Sequence, residues 1–141
     1  MYRFAYPATL TPETEGGYLV TFRDLPEAIT QGDDLDSALH EAADCLEEAI
    51  AGRIDDNEPI PEPSARQKGE HRIAVPLHTA MKAALYLAMK EAGISKLELA
   101  RRLGVDEKAV RRMLDPRQAT RVATIERALA ALGKHAELRV A

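Results

Sequence analysis

This 141-residue chain has one cysteine, no tryptophan and no long apolar run. The single Cys45 excludes an intrachain disulfide framework and a cysteine-rich zinc site, and only four histidines remain as imidazole ligands. No segment approaches the roughly 20 apolar residues of a membrane span, and the first residues lack the basic start and apolar run of a signal peptide. The sequence therefore predicts a cytoplasmic protein of one or two small domains, with no metal, no cofactor and no membrane partner.

Charge divides unevenly along the chain, whose formal net charge is −4. Residues 1–69 hold fifteen acids and five bases, a balance of −10, whereas residues 70–141 hold eight acids and fourteen bases, a balance of +6. Such asymmetry indicates two surfaces with different partners. The basic half suits a polyanion, and the acidic half suits a basic protein or simply solvent.

The N-terminal half has the pattern of a small sheet with one helix. Side chains alternate over residues 1–8 and 17–23, which predicts two strands, and a third strand is predicted at 28–31. Asp33 or Asp34 then caps a helix whose apolar residues repeat every three or four positions, and Gly52 lies where its C-terminal cap belongs.

Three alternating prolines mark residues 59–71 as an extended, semi-rigid linker. Residues 72–77 alternate again, and Pro76 restricts this strand to a sheet edge or a strand end. The strand either returns to the first sheet or belongs with the helices after it. The predicted domains are 1–58 and 72–141, joined by that linker.

The C-terminal half is predicted to be helical, with a short strand at 135–140. The predicted helices span residues 79–92, 96–103, 107–114 and 122–132. The expected fold class is therefore α+β: a sheet of three to four strands with one helix, followed by an all-α domain that ends in a short strand.

Residues 94–114 have the spacing of a helix-turn-helix. Ala100 is small where the two helices cross, Gly104 can take a positive φ in the short turn, and Asp106 can cap the second helix. Three cations of that second helix share one face, from which they reach phosphates or guanine edges. The residues expected to contact DNA are Ser95, Lys96, Asp106, Glu107, Lys108, Arg111, Arg112, Arg117 and Arg121. The alternative is a plain helical hairpin with a solvated basic face.

These residues resemble the HicB antitoxins of bacterial toxin–antitoxin pairs, in the subgroup with a C-terminal helix-turn-helix. The resemblance covers nearly the whole chain, and its more specific part lies in the C-terminal half. The motifs that carry it are Gly17–Pro26, Thr30–Asp33, Asp36–Leu39, Lys82–Tyr86, Glu91–Leu114 and Asp115–Thr120.

The resemblance implies a partial RNase H-like domain that covers a small basic toxin, the mRNA-cleaving ribonuclease HicA. It also implies repression of the pair's own promoter, and no enzymatic activity. One short recognition helix contacts too few base pairs to be specific, so DNA binding is expected to need a homodimer or higher homo-oligomer, with residues 135–140 pairing between copies. The candidate toxin contacts are Tyr18, Phe22, Asp24, Glu41, Asp44, Glu47 and Glu48.

Two other functions stay open on the sequence alone. Asp24, Asp33 and Asp34 are candidate ligands of a two-metal nuclease, although a turn and a helix cap also explain them. The second alternative is a stand-alone repressor whose acidic domain senses a small ligand. An adjacent reading frame for a small basic protein would favour the antitoxin over that repressor.

Cys45 has no basic neighbour before Arg53 and is expected to be a structural thiol.

Overall fold

The computed structural model describes all 141 residues and divides them into two units, Met1–Ala80 and Met81–Ala141. The first unit carries sixteen acids and six bases, a formal charge of −10, and the second carries seven acids and thirteen bases, a formal charge of +6. None of the helices combines the length and apolar character that a membrane crossing requires.

The N-terminal unit is an antiparallel four-stranded sheet with one long helix. Its elements are β1 (Ala5–Pro12), β2 (Tyr18–Phe22), β3 (Ile29–Gly32), α1 (Leu35–Asp55) and β4 (His71–Ala74). The strand order is β3-β2-β1-β4, and β4 pairs with β1 from Ala5 opposite Ala74 to Ala8 opposite His71. The fourth strand thus belongs to the first sheet, which is one of the two alternatives that the sequence left open, so the second domain does not begin at residue 72.

One face of this sheet and one face of α1 form the core of the unit. Tyr6, Val20 and Phe22 are buried on the sheet, because alternate residues of a strand point to the same face. Leu46 and Ile50 are buried on α1, where positions four apart share a face. The predicted sheet with a covering helix is confirmed.

Two predicted boundaries were wrong for identifiable reasons. Strand β1 begins at Ala5 and continues to Pro12, because its pairing with β2 extends to Tyr18 opposite Pro12. Helix α1 passes through Gly52 and ends at Asp55, because Ile54 is nearly buried and the Arg53 guanidinium, in the last turn, binds Glu27 at 2.6 and 2.9 Å.

The segment predicted as a linker is attached to the first unit. The Tyr6 hydroxyl donates to the Pro61 carbonyl at 2.7 Å, and Ser64 donates to Asp24 through both its backbone N–H and its hydroxyl, at 2.8 and 2.5 Å. Arg23 binds both carboxylate oxygens of Glu70, which helps to lower the pKa of Glu70 to about 2. The division between the units falls instead within the next helix, α2 (Leu77–Ala92), after residue 80.

Gly32 is required where the end of β3 approaches α1. A Cβ atom at this position would lie 2.5 Å from the Ala38 Cα atom and 2.8 Å from the Ser37 carbonyl carbon. We therefore expect Gly32→Ala to lower the free energy of unfolding by about 2 kcal/mol or more, measured by urea denaturation. Gly52→Ala is the matched control: its Cβ would meet nothing within 4 Å, so it should stabilise α1 by about 0.5–1 kcal/mol. Equal effects of the two substitutions would contradict this packing.

The C-terminal unit is helical. After α2 come α3 (Lys96–Leu103), α4 (Glu107–Leu114) and α5 (Val122–Ala131), which confirms the predicted helices. The short strand predicted at 135–140 was wrong for the single chain. A strand needs a neighbouring strand for its hydrogen bonds, and all four strands belong to the other unit. The segment is instead exposed, including the apolar side chains of Leu138 and Val140.

Candidate functional sites

Local capping sets the geometry of α3, α4 and the turn between them. Ser95 caps α3 by accepting from the Glu98 N–H at 3.1 Å, and Gly104 ends that helix with a φ of 69°. Asp106 caps α4 by accepting from the Ala109 N–H at 2.8 Å. The two helices are therefore joined by a turn of only three residues, as the sequence predicts.

Helix α4 presents three exposed cations, which differ in what holds them. The Arg111 guanidinium binds the Glu107 carboxylate at 2.8 Å within the same helix. No hydrogen bond or ion pair holds the side chains of Lys108 and Arg112. These two cations can therefore bind an anion without first breaking a contact in the chain.

A recess of about 230 Å³ lies beside these cations. It is lined by Lys108, Arg111, Arg112, Asp115 and Gln118. Three cations against one carboxylate make it electropositive, and the Gln118 amide adds both a donor and an acceptor. Such a recess suits a phosphate group or the edge of a base.

The other predicted DNA contacts occupy varied positions. Arg117 and Arg121 are exposed after α4, and Arg117 lies 3.5 Å from the Asp115 carboxylate. Lys96 is exposed in the first turn of α3, whereas the side chains of Ser95 and Asp106 are used as helix caps.

Lys82 has a place in this unit that the sequence motifs did not predict. It is fully buried in α2, and its ammonium group contacts the end of α4 and the loop after it. A signal was present, since Lys82 lies three and seven positions before the buried Leu85 and Met89, on the apolar face of an amphipathic helix. A lysine at such a position indicates a buried cation with fixed partners.

Three exposed acids of the N-terminal unit form a stripe on α1. Glu41, Asp44 and Glu48 are exposed at spacings of three and four residues, so they share one face of the helix. We call these three residues the acidic stripe. Glu47 lies outside it, half-buried, and accepts a hydrogen bond from the Thr79 hydroxyl at 2.7 Å.

The structure places three other candidate toxin contacts less favourably. Phe22 is only 2% exposed in the sheet core, so it offers no surface to a partner. The Asp24 carboxylate is bound by Ser64, and Tyr18 is half-buried at the start of β2. Of the predicted contacts, only the three residues of the acidic stripe are exposed.

Two of the acids considered as nuclease ligands, Asp24 and Asp34, are bound to other residues of the chain and form no metal site. Asp34 caps α1 by accepting from the Ser37 N–H at 2.7 Å, and Asp24 is held by Ser64. No three His, Cys, Asp or Glu side chains are grouped so that they could hold a metal ion. The half-buried Cys45 has its thiol pKa raised by burial and by the nearby carboxylates of Glu27 and Glu41, which disfavours the nucleophilic thiolate.

Together these features define a two-unit α+β protein with an acidic sheet unit and a basic helical unit. Residues 5–84 match the family described as HicB_like antitoxin of bacterial toxin-antitoxin system. Antitoxin HicB of Escherichia coli strain K12 is 42% identical over 133 residues, which cover 94% of this chain and 96% of that protein. The chain belongs to the HicB family of antitoxins.

Relatives from other bacteria extend this similarity. Antitoxin HicB 1 of Photorhabdus laumondii is 39% identical over 135 residues, which cover 96% of this chain and 86% of that protein. Antitoxin HicB of Pseudomonas fluorescens is 36% identical over 129 residues, which cover 91% and 88% of the two chains. The similarity therefore spans both units.

Proposed function

We propose that this antitoxin neutralises a HicA-type mRNA-cleaving ribonuclease by covering its active surface, and that it represses its own operon by binding operator DNA. The observation that carries the proposal is the separation of charge between the units, −10 in the first and +6 in the second, within a family of antitoxins. The first unit suits a basic, RNA-binding toxin, and the second suits DNA.

The acidic stripe is the proposed toxin contact. A ribonuclease needs a cationic surface to hold the phosphates of its RNA, and exposed carboxylates at 41, 44 and 48 complement such a surface. Bound there, the antitoxin inhibits by blocking access to RNA, without any chemical change to the toxin. Opposite charges speed the encounter of two proteins more than they strengthen the final complex.

Helices α3 and α4 are the proposed helix-turn-helix, with α4 as the recognition helix. The unpaired Lys108 and Arg112 and the recess beside them face the DNA in this proposal. Two copies of α4 would read the two halves of a palindromic operator. The exposed Leu138 and Val140 suit pairing of the C-terminal segments across the homodimer. The segment of one copy would then be the neighbouring strand of the segment of the other copy.

The toxin half is tested by co-expression with the small basic protein of the adjacent reading frame. We expect that protein alone to arrest growth and cleave mRNA, and we expect this chain to restore growth and to co-purify with it. Failure to co-purify would reject the antitoxin–HicA pairing. A small-ligand repressor, by contrast, needs no protein partner.

The DNA half is tested by fluorescence anisotropy with a duplex taken from the region upstream of this chain's own gene. We expect this duplex to bind more tightly than a scrambled duplex of equal length. The affinity should fall steeply with salt, by about 0.9 log units per neutralised phosphate per log unit of salt. A flat salt dependence or equal binding to both duplexes would reject operator recognition.

A further inference from the structure

Lys82 makes the most concentrated set of polar contacts in the C-terminal unit. Its side chain is fully buried in α2, and its ammonium nitrogen lies 2.6 to 2.8 Å from four oxygens, which share its three N–H donors. The acceptors are the backbone carbonyls of Arg112, Asp115 and Gln118 and the hydroxyl of Thr120. None of the four is a carboxylate, so this is a cation held by neutral oxygens.

Such a contact is stable only if the oxygens compensate for the water that the ammonium loses. Burial lowers the pKa of Lys82 to about 8, so the charged form with three N–H donors still predominates at pH 7. The Arg112 carbonyl lies in the last turn of α4, where backbone carbonyls carry partial negative charge, and its only backbone donor is the Asp115 N–H at 3.3 Å. The Lys82 ammonium group therefore caps the C-terminus of α4, where other helices have a glycine or a capping side chain.

The positions of the acceptors show what Lys82 organises. Three of the five residues that line the electropositive recess, namely Arg112, Asp115 and Gln118, have their backbone carbonyls bound to this one ammonium group. The fourth acceptor, Thr120, directly precedes Arg121. The ammonium group is thus the common anchor of the α4 C-terminus and of the loop from 115 to 120.

We propose that Lys82 is a positioning residue for DNA recognition: it holds the end of α4 and the loop after it so that Lys108, Arg112 and Gln118 meet the DNA as a preformed recess. It does so from the protein interior and contacts no phosphate itself. A loop that is ordered before binding costs less conformational entropy in the complex, which favours the correct sequence over others. The inference rests on the proposed operator binding.

Lys82→Met tests this role, because it keeps the length of the side chain and removes the ammonium group. The measurement is anisotropy with the upstream duplex and with the scrambled duplex across a series of salt concentrations. We expect operator affinity to fall about tenfold or more and the preference for the operator to shrink, while the salt slope stays as in the wild type. Arg112→Ala should instead lower the slope by about 0.9, if Arg112 contacts a phosphate.

Lys90→Met is the matched control. It removes the same charge from the same helix, at an exposed position where the ammonium group lies 5.2 Å from the Tyr86 ring centroid. We expect its operator affinity to stay within about twofold of the wild type, because Lys90 is exposed, does not line the recess and is screened by salt. A loss equal to that of Lys82→Met would overturn the positioning role in favour of a general charge effect.

Three results decide the inference. Wild-type affinity and preference in Lys82→Met would overturn it, and so would a reduced salt slope, which would mean that Lys82 contacts phosphate directly. If circular dichroism shows that Lys82→Met is unfolded, Thr120→Val removes one of the four acceptors at nearly constant volume, and unchanged operator preference in that variant would overturn the inference. Failure of operator binding itself is distinct, since the wild type would then show no preference for the upstream duplex.

Discussion

Replacing Arg111 and Arg112 together by alanine is expected to weaken operator binding by about 30-fold or more while toxin neutralisation is retained. Both side chains are exposed on α4 and line the electropositive recess, so both are expected to contact DNA. Each lost contact to a base or phosphate costs about 1–3 kcal/mol. If both arginines contact phosphates, the salt slope should also fall by about 1.8. Anisotropy with the upstream duplex measures both quantities, and growth rescue measures neutralisation.

The matched control for this prediction is Arg101→Ala with Arg102→Ala. These substitutions remove the same charge from α3, where both guanidinium groups bind the Glu98 carboxylate, at 2.6 and 3.1 Å. We expect this control to lose less than about fivefold in operator affinity, because neither cation lines the recess on α4 and a single carboxylate of their own helix holds both. Equal losses in the two double variants would mean that net charge, rather than α4, governs DNA binding.

Reversing the acidic stripe is expected to impair neutralisation and to leave operator recognition intact. In Glu41→Lys, Asp44→Lys, Glu48→Lys the association rate with the basic toxin should fall about tenfold or more at about 0.1 M salt, since like charges replace opposite ones. Stopped-flow fluorescence measures this rate. Growth arrest by the co-expressed toxin should return in the same variant.

Three exposed acids away from α1 provide the control for the stripe. Glu13, Glu15 and Glu62 are exposed in the first unit, and their reversal to lysine changes its net charge by the same amount. We expect the toxin to associate with this control at a rate much closer to that of the wild type, because screening limits charge effects to about 10 Å at 0.1 M salt. A control that slows association as much as the stripe variant does would remove α1 as the contact.

The sequence predicts what is determined locally in this fold. Ser95, Gly104 and Asp106 define the ends of α3 and α4, because a cap acts on N–H and carbonyl groups within three or four residues. The stripe on α1 follows from the same short-range periodicity. These features could be predicted because the interacting groups are neighbours along the chain.

Features that depend on distant residues were not predictable in the same way. The pairing of β4 with β1, the attachment of Ser64 to Asp24, and the contact of Lys82 with Gln118 join residues 36 to 69 positions apart. From the sequence, a polar side chain in a proline-rich segment, such as that of Ser64, is expected to be solvated. Whether the fold brings a partner such as Asp24 close to it is not visible in the local pattern. Phe22 was expected to contact a partner but is buried. Alternation shows that Phe22 and Val20 share a face of the sheet, but it does not show which face α1 covers.

Neutralisation and DNA binding are expected to reside in separate units of this chain, and assaying two variants for both activities tests this separation. The Arg111→Ala, Arg112→Ala variant and the triple lysine variant of the acidic stripe are each assayed for growth rescue against the co-expressed toxin and for affinity to the upstream duplex, with folding checked by circular dichroism. The first variant is expected to lose only DNA binding, and the second is expected to lose only neutralisation. Loss of both activities in either folded variant would contradict this separation.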